Sequence, residues 1–151
     1  MTGLDRITFR PMGYPDLDRV MEIEKQIYEF PWSRGNFGDS IGSGYHCNVM
    51  ERGGFLAGYG VMMEVVDEAH LLNLSVGKNW QGMGMGRMLL RTFMEMARAR
   101  SLRHFQLEVR VSNKVALSLY RSEGFSDIAV RPGYYPAAWG REDALIMGAS
   151  L

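Results

Sequence analysis

A short glycine-rich segment, QGMGMG at residues 81–86, is the first place where the sequence indicates chemistry. Gly82, Gly84 and Gly86 alternate with other residues just before an amphipathic segment, and Arg87 follows them. Glycine is unfavourable inside a helix, so three glycines at a helix start indicate a backbone that must stay uncovered. The first turn of a helix has unpaired N–H groups and a partial positive charge. We therefore predict an anion-binding cradle that would suit a phosphate group.

Two common phosphate-binding patterns do not fit this segment. A Walker loop, Gly-x-x-x-x-Gly-Lys-Ser/Thr, counted from Gly82 would need its second glycine where Arg87 stands. A dinucleotide fingerprint, Gly-x-Gly-x-x-Gly, counted from Gly84 would need a glycine at Leu89. On this segment alone, a plain glycine-rich turn that binds no ligand stays open as the alternative.

Two side chains further along the chain are candidates for proton transfer. Glu108 is the only acidic residue between Glu95 and Glu123, and it lies in the strand-like segment LEVRV. Tyr120 lies in an apolar segment with helical spacing. Each has an ordinary alternative, because Glu108 could be a surface carboxylate paired with Arg110 or another neighbour, and Tyr120 could be a core aromatic. Proton-transfer roles depend first on distance, which the sequence does not give.

Metal chemistry lacks its usual sequence patterns. His46, His70 and His104 are widely spaced, with no Cys/His cluster and no His-Glu-x-x-His motif. The single cysteine, Cys47, is predicted to be a small buried hydrophobe, since no motif surrounds it. We expect no metal cofactor.

Length and composition are typical of one soluble globular domain. The chain has 151 residues, of which 46% are hydrophobic and 23% charged. With no repeat or linker, we predict a single domain over residues 1–151. No signal-peptide pattern or long apolar run occurs, and one cysteine agrees with a reducing compartment, so we expect a cytoplasmic protein without a membrane segment.

The charge is balanced overall but uneven along the chain. Residues 1–72 contain 6 Lys/Arg and 11 Asp/Glu, whereas residues 87–121 contain 8 and 2. A formal net charge of zero argues against nucleic-acid binding through overall electrostatics, and no RNA-binding motif accompanies the basic segment.

Periodicity and turn residues divide the chain into strands and helices. Pro11 is predicted to end a first strand, Asp16 to cap a helix that continues to about Tyr28, and Ser33 to cap the next helix. The remaining predicted elements are a hairpin about Gly53-Gly54, a strand at 68–76, a helix at 84–100, a strand at 103–111, a helix at 113–123, and strands at 124–132 and 141–150. This order predicts a mixed sheet with helices packed against it.

The glycine segment and its surroundings resemble one family. QGMGMG is similar to the Gln/Arg-x-x-Gly-x-Gly/Ala signature with which GCN5-related N-acetyltransferases (the GNAT superfamily) hold the pyrophosphate of acetyl-CoA. Four more blocks, in the same order, resemble RimI-type ribosomal-protein-alanine N-acetyltransferases: FPWS (30–33), LEVRVSN (107–113), ALSLYRSEGF (116–125) and YYPAAWGREDALIM (134–147). The resemblance implies the GNAT fold, an α/β (mixed α+β) domain whose mixed, mostly antiparallel sheet has six to seven strands and about four flanking helices.

The resemblance also implies a cosubstrate site for acetyl-CoA. The main chain of Leu74, Ser75 and Val76 would pair with the pantetheine arm, and the Val76 N–H would polarise the thioester carbonyl. The other implied contacts are Gln81, Gly82, Met83, Gly84, Met85, Gly86, Arg87 and Asn113. Asn113 is also well placed to cap a helix. Gly82 departs from the family pattern, in which a basic residue is expected.

By the same resemblance, Glu108 is the general base, acting through water, and Tyr120 protonates the departing CoA sulfur. An N-terminal α-amine has a pKa near 8 and a lysine near 10.4, so at pH 7.5 roughly a quarter of the former but only ~0.1% of the latter is neutral. An α-amine therefore needs a less demanding base, which one glutamate working through water can supply.

RimI-type enzymes acetylate the N-terminal alanine of small-subunit ribosomal protein S18, whose N-terminal segment is basic. We expect Glu24, Tyr134 and Tyr135 to contact such a peptide, the two tyrosines from a loop at residues 131–143. The ordinary alternative is a solvated acidic face and a structural aromatic loop. Two other functions stay open: an acetyltransferase for protein lysines or a small amine, and a module that binds acetyl-CoA or a partner without catalysis.

Overall fold

The computed structural model describes residues 6–151 as a mixed α/β fold. Residues 1–5 lie outside the described residues. They belong to the N-terminal segment in which we found no signal-peptide pattern. The described strands are β1 (Ile7–Pro11), β2 (His46–Arg52), β3 (Phe55–Val65), β4 (Glu68–Val76), β5 (His104–Arg110), β6 (Ser126–Ala137) and β7 (Gly140–Ser150). The described α-helices are α1 (Leu17–Ile27), α2 (Arg34–Gly42), α3 (Met85–Ala99) and α4 (Lys114–Ser122).

The strands follow the order β1-β2-β3-β4-β5-β7-β6 in a seven-stranded sheet. Pairing is antiparallel for β1 with β2, β2 with β3, β5 with β7 and β6 with β7, and parallel for β4 with β5. The predicted mixed, mostly antiparallel sheet with about four helices is therefore confirmed. The chain divides into two compact units, residues 6–63 with 73–93 and residues 64–72 with 94–151, which we describe in turn.

In the first unit, β1, β2 and β3 form an antiparallel meander. The predicted hairpin is confirmed, since β2 and β3 are joined at Gly53 and Gly54, both of which have a positive φ that favours glycine. Two glycines of β3 allow close packing. A Cβ on Gly60 would lie 2.5 Å from the ring of Phe93, and a Cβ on Gly58 would lie 2.7 Å from the Ser75 carbonyl oxygen.

The core of the first unit lies between its strands and the helices α1 and α2. Leu17, Val20 and Met21 recur at helical spacing on α1 and are buried. The ring of Phe37 on α2 packs against Tyr59 on β3, with centroids 5.7 Å apart. Cys47 is buried in the same cluster, so its predicted role as a small hydrophobe is confirmed.

The predicted caps of the first two helices differ in outcome. Asp16 precedes α1 as predicted, but its side chain makes no cap hydrogen bond. Its carboxylate instead accepts hydrogen bonds from the Gly13 N–H and the Arg10 guanidinium. The Arg10 hydrogen bonds hold the pKa of Asp16 at about 2, below its usual value. Ser33 caps α2 as predicted, because its Oγ accepts a hydrogen bond from the Asn36 N–H at 3.1 Å.

Residues 38–42, GDSIG, fit the Gly-x-Ser-x-Gly pattern of serine hydrolases. That chemistry needs the serine exposed on a strand-to-helix turn. Ser40 is instead buried within α2 and donates a hydrogen bond to the Asn36 carbonyl oxygen at 2.9 Å. The segment is therefore an ordinary helical one.

The second unit is built on β5, β7 and β6, with α4 beside them. Alternation in β5 buries Phe105, Leu107 and Val109 on one face and directs Glu108 and Arg110 to the other.

The predicted loop at residues 131–143 is wrong. Residues up to Ala137 continue β6 and pair with β7, with Tyr135 opposite Glu142. Pro132 and Pro136 are unusual within a strand, but β6 is the last strand of the sheet, where proline is tolerated. An irregular register between Arg131 and Tyr135 accommodates the bend. The tyrosine pair therefore lies on a strand.

No helix within residues 6–151 is long and apolar enough to cross a bilayer.

Candidate active site

The glycine segment forms an exposed turn that leads into α3. Gly82 and Gly84 have φ values of 78° and 76°, a conformation that residues with a Cβ rarely adopt. A Cβ added at either position would meet no atom within 4 Å, so these glycines are required by backbone conformation, and the space beside them is open. α3 begins at Met85 and has fifteen residues. The predicted uncovered backbone at a helix start is thus present, and it fits a phosphate-bearing ligand.

Side chains hold this turn to the end of β4. The Gln81 side-chain amide donates a hydrogen bond to the Val76 carbonyl oxygen at 3.0 Å. Gln81 and Val76, both predicted to serve the cosubstrate, are therefore brought together within the first unit. Arg52, which the sequence did not single out, lies beside the turn, with its Nη1 3.5 Å from the Met83 sulfur and its guanidinium 5.8 Å from the centre of the Trp80 ring. The sequence did not indicate this contact, because Arg52 lies 31 residues before Met83 along the chain.

The last residues of β4 lie in a buried hydrogen-bond network. The Tyr28 hydroxyl lies 2.7 Å from the Ser75 Oγ and donates to the Leu74 carbonyl oxygen at 3.2 Å. Ser75 in turn donates to the Asn73 Oδ1 at 2.7 Å. Ser75 and Asn73 are 2% and 9% exposed, so water has little access to these groups.

Glu24 lies at the other end of this network. The residue is 1% exposed, and its carboxylate accepts hydrogen bonds from the Tyr59 hydroxyl at 2.7 Å, the Trp32 N–H at 2.9 Å and the Asn73 amide at 3.4 Å. Burial raises the pKa of Glu24, which these three donors partly oppose. We expected Glu24 to contact a peptide from an acidic face, whereas the structure surrounds its carboxylate with internal donors. A direct peptide contact would have to replace one of them.

Glu108 has different surroundings in the second unit. Its carboxylate Oε1 lies 3.2 Å from the Nε of Arg131, and the two side chains are 24% and 52% exposed. The Arg131 guanidinium also lies 5.5 Å from the centre of the Tyr134 ring. Burial, together with the neighbouring Glu108 carboxylate, raises the pKa of Tyr134. The structure thus brings Tyr134 close to the predicted general base.

Arg110, which we considered as the partner of Glu108, bonds elsewhere. It donates to Glu142 at 3.2 Å and to the Pro136 carbonyl oxygen at 2.7 Å, and its guanidinium lies 4.5 Å from the centre of the Tyr135 ring. Burial and then the Glu108 charge raise the pKa of Tyr135 to about 12. Glu108 therefore lies close enough to Tyr134 and Tyr135 for its charge to act on both, and their roles as base and substrate contacts stay predictions.

Glu142 is a residue of this group that sequence reasoning missed. It is 6% exposed and accepts a hydrogen bond from the Ser112 N–H at 2.9 Å. The Ser112 hydrogen bonds and the Arg110 guanidinium hold its pKa below the usual value. Glu142 lies in the block YYPAAWGREDALIM, which resembles the RimI-type enzymes, and this resemblance could have identified it as a candidate.

Asn113 and Tyr120 belong to the α4 region. The predicted cap is confirmed, because the Asn113 Oδ1 accepts a hydrogen bond from the Ala116 N–H at 3.2 Å. Tyr120 is 8% exposed, and its ring packs against Phe125 with centroids 5.8 Å apart. Tyr120 is thus a core aromatic, and its role as an acid stays a prediction.

Within residues 6–151, no three His, Cys, Asp or Glu side chains are grouped as metal ligands would be. His70 and Glu68 form an isolated pair at 2.8 Å.

Comparison with known proteins agrees with this fold. Residues 17–125 match the model of the acetyltransferase (GNAT) family. The chain is 38% identical over 144 residues to the [ribosomal protein bS18]-alanine N-acetyltransferase of Escherichia coli K12, which covers 95% of this chain and 97% of the relative. The enzyme of the same name from Salmonella typhimurium is equally similar, with the same coverage.

A crystal structure of the Escherichia coli ribosomal-protein-S18-alanine N-acetyltransferase superposes with a TM-score of 0.90. The match has 35% sequence identity and covers 96% of this chain and 94% of that one. The fold and these matches therefore define an acyltransferase. The chain belongs to the acetyltransferase (GNAT) family and is an N-acetyltransferase.

Proposed function

We propose that this enzyme transfers the acetyl group of acetyl-CoA to the N-terminal α-amine of ribosomal protein S18, whose first residue is alanine. The observation that carries the proposal is the 38% identity, over nearly the whole of both chains, to enzymes named for that reaction. Such a substrate would place the enzyme in the cytoplasm with the ribosomes. A single catalytic domain over residues 1–151 stays a prediction.

The proposed cosubstrate site consists of the glycine turn and the end of β4. The open backbone at Gly82 and Gly84 supports pyrophosphate binding at the start of α3. Arg87 in the first turn would add positive charge. Leu74, Ser75 and Val76 would pair with the pantetheine arm through their main chain. The further proposed contacts are Gln81, Met83, Met85, Gly86 and Asn113. Acetyl-CoA supplies a thioester, whose carbonyl carbon is the electrophile.

The proposed chemistry needs one proton removed and one returned. The amine nitrogen forms a bond to the carbonyl carbon, and Glu108 takes the amine proton through a water molecule. The carbon–sulfur bond then breaks, and Tyr120 gives its hydroxyl proton to the sulfur. The Val76 N–H would stabilise the negative charge that develops on the carbonyl oxygen, an effect commonly worth ~3 kcal/mol. Free CoA and an acetylated peptide result.

Acceptor recognition is proposed for the tyrosine pair and Glu24. Tyr134 is 45% exposed and close to Glu108, which supports a direct contact with the peptide. The buried carboxylate of Glu24 supports an indirect contribution through the Trp32 N–H, in the FPWS segment.

Intact-mass measurement tests the acceptor. Three peptides would be incubated with enzyme and acetyl-CoA: an alanine-started S18-like peptide, the same peptide with a blocked N-terminus and an added lysine, and a serine-started variant. We expect a gain of one acetyl group on the first peptide alone. Acetylation of the blocked lysine peptide would indicate a lysine acetyltransferase instead. Binding of acetyl-CoA with no acetylation of any peptide would discard this acceptor, and a broader screen of small amines would then separate another acceptor from a non-catalytic module.

A further inference from the structure

The hydrogen bonds from Tyr28 to Glu24 run in one direction. Since the Ser75 hydroxyl donates its proton to Asn73, it can accept the proton of Tyr28, and the Asn73 amide then donates to Glu24. Tyr59 and the Trp32 N–H also donate to Glu24. Three donors of the network therefore point to the Glu24 carboxylate, and the Tyr28 proton lies within reach of both the Ser75 Oγ and the Leu74 carbonyl oxygen. Burial raises the pKa of Tyr28 to about 12, so its hydroxyl stays a donor at neutral pH.

This network is costly to disturb because it is buried. No buried side-chain nitrogen or oxygen among the described residues lacks a hydrogen-bond partner. Removing one member leaves its neighbour without a hydrogen-bond partner, which destabilises the fold. Fully satisfied buried networks hold a single geometry. The positions of Asn73, Leu74 and Ser75 are therefore fixed more tightly than those of an ordinary strand end.

The end of β4 needs such support. The parallel pairing of β4 with β5 covers Glu68 to Leu71. Residues 73–76 lie beyond the last paired residue on that side, so their main chain lacks those ladder bonds. The Tyr28 hydroxyl reaches the Leu74 carbonyl oxygen, and Ser75 is held by its own side chain. Where β4 continues to Val76 it keeps β3 as its neighbour, and these side chains add hydrogen bonds that the β5 side does not provide.

We propose that Tyr28 and Ser75 are positioning residues for acetyl transfer, since together they fix the main chain of Leu74–Val76 and so aim the Val76 N–H at the thioester carbonyl. The inference rests on the proposed function only in giving Val76 that role. In this role neither side chain needs to touch the reacting atoms, because both act through hydrogen bonds within the protein. Their effect is to hold a backbone N–H donor in place. A small misplacement of such a donor lowers the reaction rate substantially.

Removing the Tyr28 hydroxyl alone tests the proposal. Tyr28→Phe should lower kcat about tenfold and leave the KM for acetyl-CoA within about twofold, because a misaimed donor is felt mainly in the transition state. Tyr14→Phe is the matched control, since Tyr14 is 57% exposed in the same unit, and its kcat should not change. Ser75→Ala should give a similar loss. The double variant should lose less than the product of the two single losses, because both residues act through one network.

An infrared measurement reports directly on the hydrogen bond from the Val76 N–H to the thioester carbonyl, and it needs no peptide. Acetyl-CoA labelled with ¹³C at the carbonyl would be bound to each protein, and the carbonyl band recorded. A hydrogen bond from Val76 lowers this frequency in the native enzyme, and the band should move back toward that of free acetyl-CoA in Tyr28→Phe and Ser75→Ala. In Tyr14→Phe it should match the native enzyme.

The outcomes separate the positioning role from the acceptor. If the native enzyme acetylates the S18-like peptide while Tyr28→Phe and Ser75→Ala keep the native kcat and carbonyl band, the positioning role is overturned and the proposed function stands. If no peptide is acetylated but the band shifts as expected in both variants, the positioning role stands and the acceptor fails. Should Tyr28→Phe not fold, as its thermal midpoint would show, Ser75→Ala decides by the same two readings.

Discussion

Two carboxylates of this enzyme lie in opposite kinds of surroundings. Glu24, in the first unit, is 1% exposed and accepts hydrogen bonds from three uncharged donors. Glu108, in the second unit, has a side chain that is 24% exposed, and its charged partner Arg131 is itself half exposed. The first group is enclosed by uncharged hydrogen-bond donors, and the second is paired with a half-exposed cation.

The difference teaches which carboxylate can exchange partners. Taking a buried acceptor away from its donors leaves several groups unsatisfied, so Glu24 is suited to hold one geometry. An exposed ion pair is worth about 0–1 kcal/mol, so water or an amine can replace Arg131 at Glu108 at little cost. A general base must bind and release groups in every turnover. The surroundings of Glu108 therefore suit the base role that we propose for it, and the surroundings of Glu24 suit a structural anchor.

Exchanging the exposed carboxylate for an amide should give the largest effect. Glu108→Gln keeps the shape of the side chain but removes the proton acceptor, so kcat/KM for the alanine-started peptide should fall about 10²- to 10⁴-fold. Calorimetry should show unchanged binding of acetyl-CoA. Glu95→Gln is the control, because Glu95 is exposed on α3, and this variant should keep full activity. A Glu108→Gln enzyme within a few-fold of the native rate would remove Glu108 from the mechanism.

The same exchange at the buried carboxylate should appear mainly in stability. In Glu24→Gln one carboxylate oxygen becomes an amide NH₂ group that faces a donor, so the free energy of unfolding should fall by about 1–3 kcal/mol. Urea unfolding measures this loss. Glu22→Gln, exposed on the same helix, is the matched control. Equal losses in both variants would contradict the anchoring role.

Removing the cation from the exposed pair should give the smallest effect. Arg131→Gln should lower kcat/KM by about two- to fivefold, because a half-exposed ion pair contributes at most ~1 kcal/mol to holding Glu108. Arg131→Lys should recover part of this loss. Arg98→Gln, which breaks an exposed pair with Glu95, should leave the rate unchanged. A loss of a hundredfold in Arg131→Gln would instead make Arg131 a direct contact of the substrate.

Local patterns in the sequence predicted much of the fold. The hairpin about Gly53-Gly54, the Ser33 cap and the start of α3 after Gly84 depend on neighbouring residues, and each was confirmed. The edge hairpin at residues 131–143 was missed, because its prolines oppose a strand unless the strand lies at the edge of a sheet. Whether a strand is an edge strand depends on the order of the whole sheet.

The candidate site was predictable where it depends on a motif. The glycine turn and Glu108 lie in recognisable blocks, whereas Glu24 was predicted on the surface and lies in the core. Its partners Tyr59 and Asn73 are 35 and 49 residues away along the chain. Pairings over such separations leave no periodic signal. Arg52 beside Met83 was invisible for the same reason.

The buried Cys47 has a practical consequence. Burial raises the pKa of this single thiol to about 11, and only the thiolate form reacts quickly with maleimides or iodoacetamides. A second cysteine introduced at an exposed position, such as Trp139 at the tip of the β6–β7 hairpin, would then be the fast-reacting thiol. A fluorophore or spin label could be attached there without first deleting the native cysteine.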